Sequence, residues 1–479
     1  MRRLFTIFVF FLFLPSQVCE AVNWPLSLCG SGASAYLCDQ DDVPFPVIAD
    51  TAWSMAGELS PTEVATYLDD RAAKGFTAIL MNAIEHAFSA NAPNNYADEP
   101  PFTNGPSDWS VRNETYWSYL DYILNYAKSK NIVVFLTPSY IGYQCDSEGW
   151  GQQMLAQTTG AMTDYGEFLG NRYADQGNII WVYGGDADCS DCSVCSRVTA
   201  IDTGIRTYDT NHLRTAHSSP SRSAMDDYNS IIDINTAYSY GSPDTEVSGE
   251  YQRSSAKPLT FVEGYYENEH SSTLGTWQSQ AMIAHLGGAQ IGQFFGNCPI
   301  WNFSASSASS FCDGGSSDWN DWLNSNGSTS MGHIASLIKS RAWWKLVPDY
   351  SNAVVTSSKG SGLSYRATAR TSDGETIMVW CPNTNQITVD MSKITDSGSQ
   401  VKAWWWDPDD NSSQLIGIYS TTGTRNFTPG SARMVLVLDN NDSGLSAPGS
   451  DVYEETNSTS SGGGGGGGGG CFVTTAAGD

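Results

Sequence analysis

Between residues 45 and 301 one pattern recurs eight times: a short apolar run, a polar or aromatic residue where it stops, then a helical or loop segment. The runs are Phe45–Trp53, Phe76–Met81, Ile132–Thr137, Ile179–Tyr183, Leu213–His217, Ser230–Tyr238, Pro258–Glu267 and Gln290–Trp301. Runs rich in β-branched and aromatic residues and bounded by turn formers suit parallel strands buried on both faces. Helical spacing fills the intervals. Val64, Leu68, Arg71 and Ala72 follow Ser60-Pro-Thr-Glu63, a capping box with proline at the first helical position. Trp117, Leu120, Ile123, Leu124 and Ala127 share one face of the next helix. Eight such units predict an α/β chain folded as a (β/α)₈ barrel, its working face at the carboxyl ends of the strands.

The texture changes after Arg341-Ala-Trp-Trp-Lys-Leu-Val-Pro348. Seven strand-like runs follow, at 353–355, 363–369, 376–381, 387–391, 401–406, 414–419 and 432–438, separated by turn signals such as Ser372-Asp-Gly374. They predict a small antiparallel β-sandwich. The expected division is a signal peptide at 1–21, a catalytic barrel at 22–345, a sandwich at 346–440, a flexible Ser/Gly linker at 441–470 and a terminal tag at 471–479. Arg2 and Arg3, the apolar stretch Leu4–Leu14 and the small residue Ala21 carry the signal reading. No later run is long and apolar enough to span a bilayer, so a secreted or cell-surface protein without membrane insertion is expected.

Export makes disulfides the expected state of most of the nine cysteines between the signal and the glycine run. Cys29–Cys38 and Cys298–Cys312 are the simplest local pairs. Cys189, Cys192 and Cys195 have the spacing of a metal knuckle but no second ligand pair, so bridges within that loop or to Cys145 are preferred over metal. Cys381, inside a strand-like run, is left as the free thiol. A formal charge of −27 with no basic patch excludes nucleic acid as a partner. The sequence leaves the oligomeric state open and calls for no cofactor and no metal.

Chemistry concentrates at two strand ends. Ile179-Ile-Trp-Val-Tyr-Gly-Gly-Asp186 places a carboxylate where the fourth strand stops, and Glu263 does the same on the seventh. Across a barrel mouth these face each other, as a general acid and a nucleophile or base must to flank one glycosidic bond. A bland reading makes Asp186 a turn cap and Glu263 an ion-pair partner. Asp50, His86, His217 and Glu267 are further polar candidates for sugar contacts. Trp53, Tyr140, Tyr238, Tyr266 and Trp301 are the aromatics on which sugar faces can stack. The chain lacks Gly-x-Ser-x-Gly and His-Glu-x-x-His, which speaks against serine and zinc hydrolases.

Asp50-Thr-Ala-Trp53, Tyr67-Leu-Asp-Asp-Arg-Ala-Ala-Lys-Gly-Phe76, Ile180-Trp-Val-Tyr-Gly-Gly-Asp186 and Glu263-Gly-Tyr-Tyr-Glu267 together resemble the apiosidase-like glycoside hydrolases of family 140 and relatives. The resemblance implies a (β/α)₈ barrel with Asp186 as acid/base and Glu263 as nucleophile. It implies a carbohydrate substrate, the side chains of a plant- or algal-type polysaccharide. Trp343-Trp-Lys-Leu-Val-Pro348 and Ala403-Trp-Trp-Trp-Asp-Pro408 resemble the appended β module of such chains, named for collagen binding, and Cys471-Phe-Val473 resembles bacterial Cys-Phe-Ile-box sorting tags. Family members carry Glu-Pro where this chain has Glu263-Gly264, and Asn235-Thr-Ala-Tyr-Ser-Tyr240 departs from their Gln-Ser-x-His pattern. The rival expectation is a non-catalytic carbohydrate- or matrix-binding surface protein. A cleft shared by Asp186 and Glu263 discriminates between the two.

Overall fold

The computed structural model describes residues 21–454 apart from 242, 304–311, 317 and 396–398; the signal segment and the terminal tag lie outside the described residues. Eight parallel strands form a cylinder: β1 (Val47–Thr51), β2 (Ala78–Asn82), β3 (Val133–Thr137), β4 (Ile179–Gly184), β5 (Arg214–His217), β6 (Asn235–Tyr238), β7 (Leu259–Glu263) and β8 (Gly292–Phe295). Their hydrogen-bonded order is β5-β4-β3-β2-β1-β8-β7-β6. The β5/β6 seam is closed differently. There Thr215 Oγ1 donates to the Ile234 carbonyl at 2.9 Å and Thr236 Oγ1 to the Ala216 carbonyl at 2.8 Å.

Strand alternation decides what fills the barrel. Val47, Ala49, Leu80, Phe135, Ile180, Val182 and Val262 point inward and share one core. Ile79, Met81, Val134, Leu136 and Trp181 point outward against the helices. Those helices are α1 (Pro61–Ala73), α2 (Glu114–Ser129), α3 (Thr159–Tyr173), α4 (Cys195–Tyr208), α5 (Ala224–Tyr228), α6 (Pro243–Tyr251), α7 (Leu274–Gly287) and α8 (Asn326–Lys339). The capping box forms at α1 in both directions: Ser60 Oγ accepts from the Glu63 N–H, and Glu63 Oε2 accepts from the Ser60 N–H at 2.8 Å. No described helix is long and apolar enough to cross a membrane.

The sandwich follows as β9 (Leu346–Pro348), β10 (Thr368–Thr371), β11 (Thr376–Cys381), β12 (Ile387–Asp390), β13 (Gln400–Trp406), β14 (Ser413–Ser420), β15 (Thr424–Phe427) and β16 (Met434–Asn440). The antiparallel order β9-β10-β11-β16-β13-β14 makes one sheet, and β12 with β15 the other. Ile377, Val379, Leu436 and Leu438 meet Val389 and Phe427 between them. The large sheet's opposite face, with Met378, Trp380, Trp406, Val435 and Val437, packs on Trp277, Ala281, Met282 and Leu286 of α7 and Met331 and Ile334 of α8. Helix α7 is therefore buried from Trp277 to Gly287.

Several stretches of the sandwich differ from expectation. β9 and β15 carry too few alternating apolar residues to read as strands, while the run at 353–355 reduces to a single bridge between Val355 and Val389. The disulfides are Cys29–Cys38, Cys145–Cys192, Cys189–Cys195 and Cys298–Cys312, with Cys381 buried and free.

Candidate active site

The end of β4 is built for a sharp reversal. Gly184, Gly185 and Asp186 take φ of +86°, +120° and +51° in succession. Glycine enters this region freely and aspartate tolerates it better than most side chains. Space is short as well: a Cβ on Gly185 would lie 2.2 Å from the Tyr140 ring, and one on Gly184 would lie 2.3 Å from the His217 carbonyl oxygen. Gly185→Ala is therefore expected to displace Tyr140. Overpacking of this kind costs about 1–3 kcal/mol of stability. Moving a reacting group by an ångström costs about 100-fold in turnover. Thermal unfolding and steady-state kinetics check the two effects, and a Gly185→Ala protein with the parent's kcat would refute the tight-turn argument.

The reversal aims Asp186. Its N–H donates to His217 Nδ1 at 3.3 Å, and the Gly185 N–H donates to the His217 carbonyl at 2.7 Å. Tyr140 OH donates to Asp186 Oδ2 at 2.9 Å, while Oδ1 is shielded from solvent and has no protein partner. Burial, reinforced by the Glu263 charge, raises the Asp186 carboxyl to about 6.

Glu263 arrives from β7. Alternation alone would turn it outward with Leu259 and Phe261. The β6/β7 register shifts instead, from Ala237 opposite Phe261 to Tyr238 opposite Glu263, and this irregularity re-aims the side chain into the mouth. His217 accepts at Nδ1, so its proton sits on Nε2, which donates to Glu263 Oε2 at 2.6 Å. Tyr240 OH donates to Oε1 at 2.8 Å. The next residue is Gly264, where a Cβ would fall 1.7 Å from Gln280 Nε2 on α7. The Gln280 amide thus fills the space that a larger residue after Glu263 would need.

Asp186 and Glu263 line one cavity of about 140 Å³, the placement that catalysis by the pair requires. Asp186, His217 and Glu263 each place a ligand-type atom within 4.8 Å of the others. As a metal cradle the trio is poor, because both His217 nitrogens are already engaged by the Asp186 N–H and by Glu263. Trp53, Tyr140, Tyr266 and Trp301 form aromatic walls of the cavity. Trp53 Nε1 donates to Tyr266 OH at 3.1 Å, and Trp301 packs edge-on to Phe88 at 4.9 Å. Two disulfides brace the rim: Cys145–Cys192 joins the loop after β3 to the loop after β4, and Cys189–Cys195 closes the latter on itself.

The remaining sequence candidates lie elsewhere. His217 and Tyr238 stand behind the cavity, their rings 4.9 Å apart. Asp50 does not reach the cleft. It shares outward parity with Ile48, and its carboxylate meets Arg71 Nε at 2.5 Å and Tyr67 OH at 2.8 Å in the wall between β1 and α1. Glu267 is also structural: its carboxylate accepts from Ser325 Oγ, Asn297 Nδ2 and the Gly327 N–H, anchoring the start of α8. His86 sits outside the cavity with its ring 4.8 Å from Trp150, and burial lowers its pKa. The sequence candidates omitted Asn82, Phe88, Glu148, Tyr240 and Glu269, all of which line the cavity. Asn82 and Tyr240 had a signal in their position at strand ends. The other three come from loops without periodicity.

Two family models cover most of the chain. One, "Apiosidase-like, catalytic domain", matches residues 31–345, and "Putative collagen-binding domain of a collagenase" matches residues 347–439. A search of curated proteins finds no match. Among solved structures, a protein titled glycoside hydrolase aligns with a TM-score of 0.76 at 21% identity, covering 89% of this chain and 99% of its own. A glycoside hydrolase family 5 protein from Bacteroides vulgatus aligns at 0.76 and 22%, over 89% and 95%. At these identities the likeness is one of fold, and the family match carries the assignment. The chain belongs to the apiosidase-like glycoside hydrolases, with a second domain of the type named for collagen binding.

Proposed function

We propose that the protein is an exported retaining glycosidase that removes sugars from the side chains of plant- or algal-type polysaccharides, with Asp186 as acid/base and Glu263 as nucleophile. One observation carries the stereochemistry. Retaining enzymes hold their two carboxyl groups about 5–5.5 Å apart, and inverting enzymes about 6.5–9.5 Å apart, to admit a water. One carboxylate oxygen of Asp186 lies within 4.8 Å of one of Glu263, which leaves little room for the intervening water of inversion and supports the first arrangement.

The assignment of roles follows from the environments. Glu263 accepts from His217 and Tyr240, which fix both carboxylate oxygens and orient them for attack on an anomeric carbon. Asp186 keeps its proton to about pH 6 and has one oxygen uncommitted. In the first step Glu263 forms a bond to the anomeric carbon as the glycosidic C–O bond breaks, and Asp186 delivers its proton to the departing oxygen. In the second, Asp186 takes a proton from water, and the resulting hydroxide displaces Glu263 from the sugar. Four disulfides fit export into an oxidising compartment.

The reading is tested by following hydrolysis of a plant or algal glycan by NMR. The first-formed reducing sugar is expected to have the anomeric configuration of the substrate. The opposite anomer appearing first would refute the retaining mechanism.

A further inference from the structure

We propose that Glu269 is a specificity-determining residue of this cleft which works uncharged, donating a hydrogen bond from its carboxylic OH to a hydroxyl oxygen of a neutral sugar. The proposal rests on the glycosidase reading of the same cavity. Glu269 lies in the loop after β7, six residues beyond Glu263, and lines the cavity with Asp186 and Glu263. Its side chain is 13% exposed, and Oε2 is shielded from solvent with no partner in the protein. A carboxyl oxygen without a partner among the described residues, on a side chain that lines the cavity, is an unfilled hydrogen-bonding position.

The surroundings fix the protonation state. Asp186 and Glu263 face Glu269 across the cleft, Asp313 from the loop after β8, and Tyr240 and Tyr266 from the aromatic wall. The nearest cationic candidate among the described residues is His270, whose Nε2 is 3.7 Å from Oε1 on a side chain 59% exposed; no described lysine or arginine lines the cavity. Burial, followed by the Glu263, Asp313 and Asp186 charges, pushes the Glu269 carboxyl up to about 8. A carboxyl held neutral at pH 7 by burial and like charge is a donor that an ionised one cannot be. Glu148 adds a further carboxyl to the lining, and Asn82, whose buried Oδ1 has no partner among the described residues, lines the same cavity. Donor and acceptor together suit hydroxyl groups, whereas a carboxylated or sulfated sugar would add negative charge to an acidic, cation-free lining.

The test measures kcat and KM from pH 5 to 9 for the parent, Glu269→Gln and Glu269→Ala on a neutral aryl glycoside that the parent cleaves. The parent's KM is expected to rise as pH passes about 8 and Glu269 ionises. Glu269→Ala should raise KM at pH 6 about tenfold with kcat little changed, the loss of one uncharged hydrogen bond. Glu269→Gln keeps a donor that does not titrate, so its KM should rise about threefold at pH 6 and stay flat through pH 9. A Gln variant as impaired as Ala, a Gln variant that retains the rise near pH 8, or an Ala variant with the parent's KM would each overturn the proposal. If the Ala variant fails to fold, the Gln pH profile decides alone. Failure of the glycosidase reading shows separately, as a Glu263→Gln protein that stays active.

Discussion

Glu263→Gln is expected to lower kcat by three orders of magnitude or more, a loss of about 4 kcal/mol in transition-state stabilisation. The amide is nearly isosteric. Its carbonyl can still accept from His217 Nε2, while its NH2 takes the place of Oε1 and donates to Tyr240 OH, whose hydroxyl can turn to accept. What it cannot do is form the ester to the anomeric carbon, so the covalent step disappears while the fold persists. Turnover on a cleaved glycan, together with the thermal midpoint, measures both halves of the expectation. A variant with near-parent turnover would remove the nucleophile assignment, and one with a collapsed midpoint would show that Glu263 chiefly holds the barrel mouth.

The second large effect concerns stability. Arg71 and Asp50 are both fully shielded from solvent and joined at 2.5 Å. Arg71 Nη1 also donates to the Leu323 carbonyl and to Ser328 Oγ of α8, while its guanidinium lies 5.1 Å and 5.3 Å from the Tyr67 and Phe76 ring centres. Removing one partner of a buried pair costs about 3–5 kcal/mol, because the other is left unpaired in a dry wall. Arg71→Met is expected to lose stability on that scale in urea unfolding, and Asp50→Leu/Arg71→Met to lose clearly less than the single change. Turnover per folded molecule should hardly move, because the pair faces α1 instead of the cleft. A single change costing under about 1 kcal/mol would mean that water or a repacked neighbour replaces the pair.

These two sites also mark where sequence reasoning worked and where it stopped. Ile179–Tyr183 announced a buried strand by composition, and Gly184-Gly185-Asp186 announced its end, so the barrel and both central carboxylates were legible. Asp50 was misplaced because a strand-end position does not fix the face. One residue of parity separates Asp50 in the wall from Thr51. Glu267 was misplaced for a similar reason, since nothing local tells that Ser325 and Gly327 come back to meet it. Glu148 and Glu269 were invisible because loop residues carry no period, and the closure of the cavity around them is a long-range event. The cysteine spacing offered several bridges within one loop, and only the approach of the β3 and β4 loops selects Cys145–Cys192 over its rivals.

The packing of the large sheet on α7 and α8 changes what the junction near Leu346 means. Trp380, Trp406, Val435 and Val437 cover Trp277, Met282, Met331 and Ile334 as a core would, and Arg341 holds Asp439 through two hydrogen bonds at 2.9 Å and 2.8 Å. Gln278 Nε2 reaches Asp409 at 2.7 Å from the middle of α7. The join is one of architecture: two folds meet there and share one hydrophobic interior. A barrel severed at that point would display a broad apolar face, the kind that drives association in solution. The sandwich is also the missing side of the barrel's own coat.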